Sequence, residues 1–94
     1  MNRRRSFGEI VRIVERIKGE KWQEFRDRYG DWGRDLVFWA GRRYGGLTLS
    51  ELGMSAGGVD YTAVAMGVRR VDLRARKNRA LRSAMRRVGK QCLM

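Results

Sequence analysis

Apolar residues recur every three or four positions along most of this chain, which is the spacing of amphipathic helices. Glycines separate the periodic segments, and the chain contains no proline. No stretch alternates apolar and polar residues over the length of a useful strand. The pattern therefore predicts an all-α fold with about six short helices.

Three helices are predicted ahead of residue 47. A capping box, Ser6 with Glu9, starts the first of them. The second is predicted to run through Tyr29, and Asp31 is expected to cap the third. Trp39 is expected to be buried against the helices that follow. Aromatic residues at helical spacing favour core packing over a base-stacking surface for single strands; these residues are Trp22, Phe25, Phe38 and Trp39.

The segment LTLSELGMSAGGVDYTAV, residues 47–64, is the most informative part of the chain. A capping box of Thr48 and Glu51 starts a short helix, two adjacent glycines end it, and Asp60 caps a longer helix. Two helices joined at a tight turn, with small polar residues opening the second, are typical of a helix-turn-helix. The second helix of that motif enters the DNA major groove N-terminus first.

This segment resembles the C-terminal DNA-binding domain of DnaA, the bacterial replication initiator. The resemblance lies in LSELG, the glycine pair and VDYTAV, and in GRDLVFWAGRRY, which is similar to the family's preceding helix. DYTAV followed by a basic helix is closer still to the DnaA-like C-terminal extension of some REP-associated tyrosine transposases. The resemblance covers about residues 33–88 and implies a DnaA C-terminal or Trp-repressor-like fold.

The chain of 94 residues is long enough for one domain, and its short connections indicate no internal boundary. Residues 1–32 are expected to form helices that brace the rest, and residues 33–94 the DnaA-like helix-turn-helix region. The first five residues and the last four are expected to fray.

Charge indicates the class of partner. The chain has 22 Lys and Arg against 10 Asp and Glu, for a net charge of +12. Solubility alone is the alternative, but an imbalance of this size is more typical of a protein that binds a polyanion, nucleic acid above all. From Arg69 onward there are ten basic residues and one acid, Asp72, and Asn78 is expected to cap a last helix. No apolar run approaches the roughly 20 residues of a membrane span.

The first turn of the second helix, Asp60 to Ala63, is predicted to contact base edges. An Asp can accept from a cytosine amino group, a Thr hydroxyl can reach several bases, and a methyl can touch thymine. The DnaA family has Asp-His-Thr-Thr here, so Asp60 and Thr62 match, Tyr61 and Ala63 differ, and Val59 replaces a basic residue. In the alternative interpretation Asp60 only caps and Tyr61 only packs. The resemblance therefore implies groove entry but not a target sequence.

Seven residues are predicted to hold backbone phosphates. Arg34 matches a family arginine that contacts DNA, whereas Asp35 replaces a family Gln and would repel a phosphate if it faced the DNA. A helix start supplies backbone N–H groups and hydroxyls that bind phosphate. The alternative is a capping box surrounded by solvated arginines. The predicted set is Arg34, Arg42, Arg43, Thr48, Ser50, Arg69 and Arg70.

Several catalytic signatures are absent from the sequence. The chain contains no histidine, so it lacks the metal site that tyrosine transposases of this group use beside their nucleophile. It has no phosphate-binding GxxxxGK[ST] loop, and its single cysteine, Cys92, is expected to be an exposed or loosely held thiol in a reducing cytoplasm. We expect no enzyme activity, no cofactor, no metal and no small-molecule substrate. The absence of a signal peptide pattern favours a cytoplasmic, nucleoid-associated protein.

The sequence therefore predicts a double-stranded DNA-binding domain that is sequence-specific and related to transposons, with a transposase or replication protein as a possible partner. Two alternatives stay open. One is a basic protein that binds structured RNA or the ribosome, and the other is the targeting fragment of a transposase.

Overall fold

The computed structural model describes residues 4–94. Residues 1–3, part of the segment expected to fray, lie outside the described residues. Within the described range there are six helices and no strand, which confirms the predicted all-α fold. The helices are α1 (Phe7–Lys18), α2 (Trp22–Phe25), α3 (Gly33–Gly45), α4 (Leu49–Ser55), α5 (Tyr61–Ala75) and α6 (Arg79–Cys92).

Capping side chains define where the helices begin. At α1 the Ser6 hydroxyl accepts from the Glu9 N–H at 3.1 Å, and the Glu9 carboxylate accepts from the Ser6 N–H at 3.1 Å. At α6 the Asn78 side-chain oxygen accepts from the Leu81 N–H at 2.9 Å. Both predicted helix starts are confirmed. They were predictable because a cap depends only on residues within one helical turn of each other.

Helix α2 is much shorter than predicted. It ends at Phe25 instead of running through Tyr29, whose side chain is fully exposed. Beyond the helix, the Arg28 guanidinium donates back to Glu20 at 2.6 Å and forward to Asp31 at 2.9 Å. Phe25 is completely buried at the end of this single turn, and the turn that would follow it holds no buried residue. The prediction of a helix through Tyr29 is therefore wrong.

Asp31 lies one residue before the N-cap of α3, which is Trp32, so the predicted capping residue is displaced by one position. The Asp31 carboxylate accepts from the Gly33 N–H at 2.7 Å and lies 3.0 Å from the Lys18 ammonium. Burial by itself would raise the pKa of Asp31, but the Gly33 N–H and the cations of Lys18 and Arg28 outweigh burial and lower that pKa below its ordinary value. The carboxylate therefore stays charged at neutral pH and ties the end of α1 to the start of α3.

Helix α3 contacts every other helix and borders two apolar clusters. The smaller cluster joins α3, α4 and α5 through Phe38, Leu52, Ala56 and Val64. Trp39 is buried as predicted, but it lies in the larger cluster, which includes Val71 of α5 as well as residues of α1 and α6, and not in the smaller one. Neighbouring residues of a helix point about 100° apart, so Phe38 faces the smaller cluster while Trp39 faces the larger one. The larger cluster includes Ile10, Val14, Phe25, Leu36, Val37, Val71, Leu81 and Val88.

Arg5 links the segment before α1 to the end of α3 and to the C-terminal residues that include the end of α6. Its N–H donates to the Tyr44 carbonyl at 3.1 Å, and its guanidinium donates to the carbonyls of Cys92 at 3.2 Å and Met94 at 2.9 Å. The expectation that Arg5 frays is therefore wrong. Cys92 is buried rather than exposed, because it continues the inner face of α6, and burial raises the pKa of its thiol.

Candidate nucleic-acid interface

Helices α4 and α5 are joined by a tight glycine turn. The Thr48–Glu51 capping box starts α4, with the two reciprocal bonds at 2.8 and 3.1 Å. After α4, Gly57 and Gly58 adopt φ angles of 101° and 96°, which favour glycine. The N–H groups of residues 58 and 59 both donate to the Gly53 carbonyl, at 3.0 and 2.9 Å. The predicted glycine turn between the two helices is therefore present.

Gly53 determines how closely this turn folds back on α4. A Cβ atom at this position would collide with the backbone carbonyl of Val59 and would touch the Val64 side chain. Backbone atoms cannot yield as a flexible side chain can, so a larger residue would open the turn. The absence of a side chain at Gly53 thus sets the angle at which α5 leaves α4.

The first turn of α5 presents polar groups to solvent. Asp60 accepts from the Thr62 N–H at 3.1 Å, which caps the helix. Tyr61 is 59% exposed and Thr62 is also exposed, whereas Ala63 is half-buried and Val64 lies in the core. Of the four predicted base contacts, the side chains of Tyr61 and Thr62 are the most available to a ligand, and Asp60 also serves as a cap.

Helix α5 is anchored to α3 by a buried carboxylate. Asp35 is 5% exposed and accepts from Arg70 Nε at 3.0 Å and Nη2 at 3.3 Å. A Cβ atom at Gly67 would lie 2.6 Å from Asp35 Oδ1, so glycine makes this close approach possible. The hydrogen bond to Asp35 raises the pKa of Arg70 above its ordinary value.

These positions change the predicted roles of two residues. Asp35 is enclosed between α3 and α5, so it does not face solvent, where it would repel a phosphate. Arg70 has an intramolecular partner, so its predicted phosphate contact would compete with the Asp35 ion pair. We therefore assign both residues to the positioning of α5.

Three of the remaining predicted phosphate contacts are arginines that also make a contact within the protein. The Arg34 guanidinium lies 5.7 Å from the Phe38 ring centroid, and Arg43 lies 5.5 Å from that of Trp39. Arg42 donates to the Leu47 carbonyl at 3.1 Å. A guanidinium has five N–H donors, so each of these arginines keeps donors for a further acceptor.

The start of α4 is less open than predicted. The Thr48 N–H donates to Glu51, and the Thr48 hydroxyl accepts from the Glu51 N–H. The hydrogen bond from the Thr48 backbone lowers the pKa of Glu51, which keeps a negative charge beside this helix end. Thr48 and Ser50 are both exposed, and because the Thr48 hydroxyl is engaged in the capping box, Ser50 is the better placed of the two for a phosphate.

Met66 is a candidate that the sequence pattern did not identify. Thr62, Met66, Arg69 and Leu73 follow one another at four-, three- and four-residue spacing, so they form one stripe along α5. All four are exposed, Met66 to 56%. The signal was present in its spacing from Thr62, but an isolated methionine in a helix is ordinarily interpreted as a core residue.

Comparison of the chain with protein-family profiles, curated proteins and solved structures finds no match. Among residues 4–94, no helix has the length and apolar character needed to cross a membrane. Nor do three or more potential metal ligands of the types Cys, Asp and Glu come together in that part of the chain.

Proposed function

We propose that this domain binds double-stranded DNA by inserting the N-terminal end of α5 into the major groove. The observation that carries the proposal is the exposure of Tyr61 and Thr62 on the first turn of a helix that is fixed at its start by a glycine turn and along its length by α3. A base-contacting side chain must be both exposed and held rigidly, because discrimination between bases depends on hydrogen-bond geometry.

Electrostatics support the same proposal. The net charge is +12, and residues 36–94 hold 12 of the 22 basic residues but only three acids. Arg34, Arg42, Arg43 and Arg69 have no carboxylate within 4 Å among the described residues, so their charge is available to phosphates. Phosphate contacts supply affinity and orientation, and the first turn of α5 supplies specificity.

The resemblance to the DnaA C-terminal domain and to the extension of REP-associated transposases favours a sequence-specific role linked to a mobile element. In that role the domain would bring a catalytic or replicative partner to its site. The substitutions around the groove-entering turn, with Val59, Tyr61 and Ala63 in place of the family's residues, imply a target different from the DnaA box.

Selection of bound sequences from a random duplex library tests the proposal. We expect enrichment of one motif, because a recognition helix typically discriminates by about 1–3 kcal/mol at each contacted base pair. The matched control is a Thr62→Ala, Met66→Ala variant, which keeps the net charge and should enrich no motif. Recovery of unselected sequence by the wild-type protein would contradict specific binding.

A second experiment distinguishes DNA binding from the RNA-binding alternative. Duplex DNA and duplex RNA of one sequence are compared at equal ionic strength. A-form RNA has a major groove that side chains cannot enter, so a protein that inserts α5 should prefer the DNA. Tighter binding to the RNA would favour the structured-RNA or ribosomal hypothesis over the one proposed here.

A further inference from the structure

The outward face of α6 carries a row of cations that the proposed interface does not use. Arg79, Arg82, Arg86 and Lys90 follow one another at three-, four- and four-residue spacing, so they lie on one side of the helix, and all are exposed. At a rise of 1.5 Å per residue the row is about 16 Å long. We call these four residues the α6 row.

Most of the row has no carboxylate partner among residues 4–94. Arg82 donates to the carbonyls of Ala75 at 2.7 Å and Arg76 at 3.2 Å, and it thereby caps the end of α5. Within residues 4–94, by contrast, no carboxylate lies within 4 Å of Arg79, Arg86 or Lys90. Residues 73–94 contain eight Lys and Arg and no acid. Helix α6 and the segment from residue 73 that leads into it therefore contribute only positive charge.

Arg79 and the close spacing of the row lower the stability of α6, although Lys90 in its last turn is favoured by the helix dipole. Arg79 lies in the first turn of α6, where the helix dipole disfavours positive charge. Like charges three or four residues apart repel each other as well. An external polyanion would remove both penalties, whereas nothing in the described fold does so.

The row is separated from the groove-entering turn. Around the central helix α3, α4 contacts α5, α5 contacts α6, and α6 contacts α1. In this order α5 lies between α4 and α6. The small cluster behind the helix-turn-helix contains no residue of α6. In addition, α6 begins where α5 ends, about 22 Å along that helix from Tyr61.

The chemistry of α6 favours a nucleic acid over a membrane as its partner. A basic helix that binds a lipid surface inserts its apolar face between the headgroups. The apolar face of α6 is already used, because Leu81, Ala84 and Val88 are buried in the core. The row can therefore offer charge without apolar insertion. Duplex DNA presents one phosphate charge per about 1.7 Å, so a 16 Å row passes on the order of ten charges.

We propose that the α6 row binds the phosphate backbone of a second DNA duplex, so that one domain joins two DNA segments. The joining rests on the proposed function, since the first duplex is the one held at the N-terminal end of α5. Contacts at α6 are to phosphates alone, so the second duplex is bound without regard to its sequence.

Capture of a second duplex tests the inference. A duplex with the selected site is immobilised and saturated with protein, and the retention of a labelled duplex of unrelated sequence is measured. The test variant is Arg79→Gln, Arg86→Gln, Lys90→Gln, which leaves Arg82 in place as the cap of α5. The control variant is Arg12→Gln, Arg16→Gln, Lys21→Gln, which removes the same charge from a surface shared with Glu15, Glu20 and Glu24. Equal thermal melts of the three proteins verify folding.

We expect the wild-type and control proteins to capture the second duplex and the α6 variant to capture at least about tenfold less, because three phosphate contacts are lost. All three should bind the immobilised site with similar affinity. Equal loss in both variants, full capture by the α6 variant, or stronger capture of duplex RNA would overturn the inference. Full capture by the α6 variant is the result expected if a protein dimer instead joined two duplexes through its two helix-turn-helix faces.

The two proposals fail in distinguishable ways. Binding of the immobilised site by the wild-type protein without any capture would reject the second surface and leave the proposed function intact. If the wild-type protein does not bind the immobilised duplex at all, the proposed function is rejected, and the joining of two duplexes with it.

Discussion

Asp35 on α3 holds Arg70 on α5 through two hydrogen bonds, of 3.0 and 3.3 Å, and only the arginine side of the pair is open to solvent. The Asp35 side chain is 8% exposed and that of Arg70 is 43% exposed. The pair lies midway along α5, two turns beyond the exposed Thr62. It therefore connects the central helix to the proposed recognition helix.

This asymmetry predicts unequal effects of the two truncations. Arg70→Ala leaves a carboxylate buried without a partner and should destabilise the fold by about 2–4 kcal/mol. Asp35→Ala frees an arginine that can turn to solvent, so we expect the smaller loss, about 1–2 kcal/mol. Urea denaturation of both variants measures the difference. Adding Asp35→Asn to Arg70→Ala should recover part of the stability, and a double variant no more stable than Arg70→Ala would contradict the argument.

Two neighbouring aromatic residues of α3 lie in different apolar clusters. Phe38→Ala and Trp39→Ala should each cost about 3–5 kcal/mol, since both rings are buried. The milder substitutions Phe38→Leu and Trp39→Phe should separate their roles. We expect Phe38→Leu to weaken DNA binding, because Phe38 packs against Val64 and Leu52 behind the recognition helix. Trp39→Phe should lower the melting temperature while leaving DNA affinity of the folded protein within about twofold. Equal effects on affinity would contradict the division.

Features that depend on near neighbours were predictable from the sequence. The capping boxes at Ser6 and Thr48 and the caps at Asp60 and Asn78 occur where predicted, because a cap requires only residues within one turn. The glycine turn after α4 is predictable for the same reason.

Features that depend on distant neighbours were not predictable. The single turn of α2 is followed by Arg28, which pairs with Glu20 eight positions earlier, and the role of Arg70 is set by Asp35, 35 positions away. Phe38 and Trp39 are both apolar residues of one helical run, yet they lie in different apolar clusters. Periodicity indicates that a residue is buried but does not indicate against which helix it is buried.

Asp60 has two roles that substitution can separate. Asp60→Ala removes the cap of α5 and should cost about 0.5–2 kcal/mol, whereas Asp60→Asn keeps a capping oxygen and should cost little. Asn also removes a negative charge near the DNA, so binding to duplexes without a site should strengthen with Asp60→Asn. Melting curves and competition with random duplex measure the two effects. If Asp60→Asn leaves both site preference and non-specific affinity unchanged, Asp60 acts only as a cap.

Salt dependence measures the phosphate contacts. A plot of log K for duplex DNA against log salt concentration should be linear with a slope on the order of −4 to −7, at about −0.9 for each neutralised phosphate. Arg34→Ala should flatten the slope by about one unit and weaken all duplexes alike. The matched control is Arg16→Ala on α1, which should leave the slope unchanged. A wild-type slope near zero would contradict the electrostatic part of the proposal.

Specificity is predicted to depend on Thr62. Thr62→Ala should reduce discrimination between the selected site and random duplex by about 1–3 kcal/mol. Non-specific binding should stay almost unchanged, because the backbone N–H of residue 62 can still donate to the Asp60 carboxylate that caps α5. Thr62→Ser keeps the hydroxyl and serves as the control. Tyr61 carries a longer side chain than the imidazole of the DnaA family, Ala63 offers only a methyl, and Val59 offers no hydrogen-bond donor in its side chain. We therefore expect a DnaA box to compete no better than random duplex of equal length. A preference for that box of about tenfold, worth about 1.4 kcal/mol, would show that these three substitutions leave the family's base contacts in place.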